Sequence, residues 1–113
     1  MPWLDQVAQQ ITHLSTLAPG WDGHRARTID HRTLLNAWSF LEQVAEIVTT
    51  APSLVPTVSG GVAVEWHRNG VDLEIEFGGR EVLVSYEDAD GNDKEGPIGT
   101  NADLVILALA QVR

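Results

Sequence analysis

Residues 62–87 read "VAVEWHRNGVDLEIEFGGREVLVSYE", and the fold turns on how this stretch pairs with itself. Apolar and polar residues alternate with a period of two, the mark of half-buried strands. Asn69-Gly70 is a strong signal for a type I′ hairpin turn. Gly78-Gly79 supplies a second turn signal. Two tight turns predict a three-stranded antiparallel meander with strands near 62–68, 71–77 and 80–87.

The register can be worked out from the turns. Closing the first hairpin on Asn69-Gly70 sets Arg68 opposite Val71, Trp66 opposite Leu73, Val64 opposite Ile75 and Val62 opposite Phe77. Closing the second on Gly78-Gly79 sets Ile75 opposite Val82, Leu73 opposite Val84 and Val71 opposite Tyr86. Both turns place the apolar residues on one face, and that agreement supports the register. The other face is mostly acidic. There His67 is expected opposite Asp72, Glu65 opposite Glu74, and Glu76 opposite Ala63 on one side and Glu81 on the other.

Helical patterns flank the meander. Trp3, Val7, Ile11, Leu14 and Leu17 form one stripe and predict a helix over about 3–18. Pro2 suits its first turn, and Pro19-Gly20 should stop it. A second helix is expected over about 31–50, with Asp30 as N-cap. Leu34, Trp38, Leu41, Ala45 and Val48 form its stripe. Phe40, Val44 and Ile47 widen that stripe into a second apolar flank. A third helix is expected over about 101–112, where "LVILALA" is apolar nearly all round and should be deeply packed. The order α-α-β-β-β-α predicts a single α+β domain with its helices on the apolar sheet face.

Composition narrows the function. The chain has 113 residues and is 43% hydrophobic, the size of one ordinary domain with a real core. It has no cysteine, which excludes disulfides, thiol catalysis and thiolate metal sites. No signal-peptide pattern opens the sequence, and no apolar run is long enough to span a bilayer. A cytoplasmic location is the expectation. Sixteen acids against 7 Lys plus Arg give a net charge of −9. Such a chain repels nucleic-acid phosphates, so direct nucleic-acid binding is not expected, and a basic protein is the natural partner.

The segment "PGWDGHRA", residues 19–26, joins the first two helices. Gly20 and Gly23 suit unusual backbone angles, and Asp22-Gly23 is a turn signal. The simplest reading is structural. Trp21 is expected to be a largely buried anchor, and Asp22 to accept backbone N–H bonds or pair with Arg25. With the downstream "VPTVSGGVAVEW", residues 55–66, this loop resembles a group of small uncharacterised bacterial proteins. Those proteins carry a WDGYGA-like loop followed by a P-T-x-x-G-G-(V/I)-x-x-E-W segment. The matching residues are Trp21, Asp22, Gly23 and Ala26, then Pro56, Thr57, Gly60, Gly61, Glu65 and Trp66. The chain departs at His24, where the group usually has Tyr, and at Arg25, where it usually has Gly. The resemblance covers roughly residues 14–77. It implies a shared architecture and no particular activity.

Enzyme signatures are missing from the sequence. There is no P-loop, no dinucleotide fingerprint and no nucleophile elbow. Glu65, His67 and Glu74 could in principle converge on a divalent ion, but a basic partner accounts for them as well. "DADGND", residues 88–93, lacks the glycine and glutamate that a calcium loop requires. No metal and no cofactor is expected. The leading expectation is an acidic binding protein, antitoxin-, immunity- or inhibitor-like, that uses Glu65, Asp72, Glu74, Glu76 and Glu81, extended by the 87–95 loop. Two alternatives remain. One is a small enzyme or ligand-binding domain centred on Trp21, Asp22, His24 and His67. The other is a homo-oligomer joined through Phe40, Val44 and Ile47.

Overall fold

In the computed structural model, which describes residues 2–112, three helices lie on one face of a five-stranded antiparallel sheet. The elements run α1 (Pro2–Leu14), α2 (His31–Val44), β1 (Ser53–Pro56), β2 (Val62–Arg68), β3 (Val71–Phe77), β4 (Leu83–Glu87), β5 (Asp93–Pro97) and α3 (Ala102–Val112). A short 3-10 turn, Ile98–Thr100, leads into α3. The strands are adjacent in chain order. The meander is thus two strands wider than the sequence pattern predicts, with β1 and β5 added at its edges.

The first hairpin has the expected register. Trp66 pairs with Leu73, Glu65 with Glu74 and His67 with Asp72. Asn69 (φ 56°) and Gly70 (φ 76°) both adopt the left-handed angles of a type I′ turn. The second hairpin differs. Ile75 pairs with Val84 rather than Val82, and Leu73 with Tyr86 rather than Val84. Residues 78–82 form a wider loop, β4 starts at Leu83 rather than near 80, and Glu81 sits exposed in that loop. The cause lies at Gly78. It crosses so close to Gly61 that a Cβ on Gly78 would stand 2.6 Å from the Gly61 Cα. The end of β3 is held there instead of folding back in a two-residue turn. A slip of two residues preserves side-chain parity, so the apolar and acidic faces survive it. Glu76 now faces Leu83 instead of Glu81.

Both long helices end earlier than predicted. After Leu14 the backbone tightens to i→i+3 bonds, Thr16 N–H to His13 O and Leu17 N–H to Leu14 O. The Ser15 and Thr16 hydroxyls donate to the Thr12 and His13 carbonyls, which competes with further helix. α2 is capped by Asp30, whose carboxylate accepts the Arg32 N–H at 2.8 Å. Past Val44, two buried indoles capture the chain. Trp3 Nε1 donates to Val48 O and Trp66 Nε1 to Thr50 O, each at 2.9 Å. Those bonds turn the backbone toward β1 before Pro52 is reached.

The core is one cluster between sheet and helices, with Leu41, Trp66, Leu73, Ile75 and Leu109 among its fully buried side chains. α2 and α3 both pack on β2 and β3, and α1 packs on α2 and β1. The wide apolar stripe of α2 is consumed here. Phe40 packs on Phe77 with ring centroids 5.7 Å apart, and Val44 is buried. Of that flank Phe40 is partly buried and only Ile47 is exposed, so it is narrower than the sequence pattern suggests. α3 is less enclosed than expected. Val105, Ala108, Leu109 and Val112 are buried, but Ile106 and Leu107 are more than half exposed.

Candidate functional site: an acidic open sheet face

The face of the sheet opposite the helices carries the charge. Pairing aligns the strands into rows, because opposed residues share a face. One row runs Ser53, Glu65, Glu74, Ser85, Glu95. The next runs His67, Asp72, Glu87, Asp93. A third, Val55, Ala63, Glu76, Leu83, Pro97, gives an apolar border with one carboxylate at its centre. Glu65, Asp72, Glu74 and Glu76 therefore share the face as predicted. Glu81 does not, because the wider loop carries it off the sheet. Glu87, Asp93 and Glu95 complete it, the last two from a strand where the sequence suggested a loop. A groove of about 390 Å³ runs along the face between His67, Asp72, Glu74, Glu87 and Glu95.

His67 is the only basic side chain in these rows. Its Nε2 lies 2.8 Å from Glu65 Oε1 and its Nδ1 2.6 Å from Asp72 Oδ1. Both salt bridges of the described residues belong to it. The Glu65 hydrogen bond, followed by the one from Asp72, holds the imidazole pKa above its ordinary value. Only the protonated ring can donate to both carboxylates at once. Glu74 is raised from the ordinary carboxylate value, first by partial burial and then by the charges of Glu65 and Glu76.

The sign for His67 follows. A raised pKa in the folded state means that the stability it contributes is fully present below the unfolded histidine value, about 6.5. That stability is lost as pH rises through the folded value. Thermal melts of the wild type and of His67→Gln from about pH 5 to about pH 9 should therefore converge at the alkaline end. The wild type should be the more stable of the two at the acid end. Parallel curves across the range would show that the imidazole is not held by these carboxylates.

The segment 88–92 closes β4 onto β5. Asp88 Oδ1 accepts the backbone N–H groups of Asp90 and Asn92, each at 3.0 Å. Its Oδ2 takes the Asn92 side chain and the Tyr86 hydroxyl. These donors, led by the Asn92 side chain, hold the Asp88 pKa below its ordinary value. No group of three or more His, Asp and Glu side chains among the described residues is placed to hold a metal ion.

The "PGWDGHRA" loop lies at the other end of the molecule. Asp22 Oδ1 accepts from the backbone of His24 (2.9 Å) and Ala26 (3.2 Å). Gly20 N–H donates to Ala26 O, and Trp21 Nε1 to Arg27 O. Trp21 is only partly buried, contrary to expectation. The buried side chains here are Ala26 and Ile29, and Trp21 acts mainly by bridging the loop to its own exit. Arg27 N–H donates to Val58 O, so the loop is tied to the turn before β2. His24 is exposed. His67 is six residues along β2 from Gly61, about 20 Å at strand spacing. Trp21, Asp22, His24 and His67 therefore do not form one site.

Comparison with known protein families, with curated proteins and with solved structures finds no match for this chain.

Proposed function

We propose that this protein is a non-enzymatic binding protein that occupies a basic protein partner, in the manner of an antitoxin, an immunity protein or an inhibitor. One observation carries the reading. Glu65, Asp72, Glu74, Glu76, Glu87, Asp93 and Glu95 share an open sheet face with a single imidazole among them. Like charges directly opposite one another, as at Glu65 and Glu74, weaken a hairpin. Solubility would be served as well by scattered or mixed charge. Lys and Arg from a partner relieve the repulsion and speed the encounter. A partner that handles nucleic acid would lose its phosphate-binding surface to these carboxylates.

The test uses a nine-residue peptide with Lys at alternate positions and Thr or Val between them. The triple variant Glu65→Gln, Glu74→Gln, Glu76→Gln should bind it about tenfold more weakly at low salt, since three partly exposed ion pairs at a few tenths to one kcal/mol sum to that ratio. Wild-type affinity should fall steeply as salt rises, mainly through the association rate. At alkaline pH, where the bridge from His67 to Glu65 no longer contributes, the triple variant should melt no lower than the wild type, because ionised Glu74 is held against its neighbours' charge. Equal affinities with no salt dependence would reject an electrostatic partner surface.

A further inference from the structure

We propose that the partner binds by adding a strand to the free edge of β5, so that an extended segment with Lys or Arg at alternate positions becomes the sixth strand of the sheet. The proposal rests on the basic-partner reading above and says how that partner is held.

The main-chain geometry of β5 supports it. Asp88 N–H bonds to Asn92 O, and Ile98 N–H bonds to Val82 O. Hydrogen-bonded pairs alternate along an antiparallel ladder, so between those two the bonded pairs are Tyr86–Lys94 and Val84–Gly96. Lys94 and Gly96 therefore spend their backbone groups on β4. Asp93 and Glu95 point theirs away from it. β5 is the last strand of the sheet, and no hydrogen bond among the described residues reaches the outward N–H or C=O of Asp93 or Glu95. Two consecutive outward residues offer two donors and two acceptors, enough to seat a short strand. Pro97 closes the edge, since it has no N–H and its carbonyl already accepts from the Asn101 side chain at 2.7 Å.

The opposite edge lacks this provision. Thr57 N–H bonds to Gly61 O, so the same alternation turns the backbone of Ser53 and Val55 toward β2 and that of Leu54 and Pro56 outward. Pro52 falls on the same outward parity. Two prolines in three outward positions remove the donors that strand addition needs, a common way to blunt an edge.

Charge selects the occupant at β5. The side chains of Asp93 and Glu95 stand exposed on the acidic face, in line with Glu87 and Glu74. A second copy of this edge would set these carboxylates against one another, whereas a strand with Lys or Arg at every second position would set a cation beside each.

The experiment reads amide hydrogen exchange at Asp93 and Glu95 by NMR, with and without a saturating amount of the alternating-lysine peptide. Both amides should slow by at least about tenfold on binding, as new main-chain hydrogen bonds require. The same peptide N-methylated at alternate residues keeps its charges but loses strand donors, and should bind about tenfold more weakly. Glu95→Pro should likewise bind about tenfold more weakly than Glu95→Gln, which loses only the charge. Salt-dependent binding with unchanged exchange at both amides would overturn strand addition and leave the basic-partner reading standing. Absence of any salt-dependent binding would sink both. Protection of the two amides in the free protein, growing with its concentration, would show the edge taken by a second copy and overturn the proposal.

Discussion

Trp66→Ala should lower the stability by about 3–5 kcal/mol, the range for removing a buried aromatic side chain. Trp66 is 2% exposed and stands opposite Leu73 in the sheet. Truncation leaves a cavity under the helices. It also strips the partly buried Thr50 O of its donor, which adds to the cost. Domains of this size are stable by only about 5–15 kcal/mol, so the variant should unfold at much lower urea and temperature than the wild type. Trp66→Phe keeps most of the volume and should cost clearly less. Trp21→Ala should also cost less, because Trp21 is only partly buried. Urea melts of the three variants give the order. A Trp66→Ala loss under about 1 kcal/mol would contradict its place in the core.

Gly61→Ala should be as damaging through the opposite fault, a group with no space. A Cβ there would lie 2.3 Å from Phe77 O and 2.9 Å from Thr57 Oγ1. The first neighbour is main chain of the central strand, which cannot step aside without moving the ladder. Overpacking typically costs about 1–3 kcal/mol, and a clash with backbone belongs at or above the top of that range. Gly99→Ala is the control. A Cβ at Gly99 meets nothing within 4 Å, so its effect should stay within about 0.5 kcal/mol. If the two variants melt together, the approach of Gly61 to the end of β3 is not a fixed feature of the fold.

The centre of the sheet was legible because two independent signals agree there. The Asn69-Gly70 turn and the alternation from Val62 to Phe77 demand the same pairing. The second hairpin shows how far alternation alone reaches. It fixes parity, so Val84 and Tyr86 were placed on the correct face but against the wrong partners. The length of the loop over residues 78–82 decides the slip, and alternation within the strands says nothing about that length. The edge strands were illegible for another reason. "SLVP" and "DKEGP" bury little, and main-chain bonds to one neighbour order them, so neither carries a hydrophobic period. The candidate site follows the same division. Glu65, Asp72, Glu74 and Glu76 lie on strands that alternation defines. Glu81 was lost with the slip, and Asp93 and Glu95 were missed with β5. The helix ends depended on distant groups, such as the Trp3 and Trp66 indoles, that local propensity does not contain.

The two indole bonds also rank the parts of the molecule in time. The hairpin of β2 and β3 closes across two residues, and the bond from Trp66 to Thr50 spans 16. The bond from Trp3 to Val48 spans 45. Closing a longer loop costs more chain entropy before any contact repays it, so local pairings form early and distant ones late. The sheet centre is thus the natural nucleus, and it gathers the 48–50 segment onto itself. The N-terminal helix docks afterwards onto carbonyls that this segment already presents. In the native protein the order reverses, and that helix should undock before the hairpin of β2 and β3 opens.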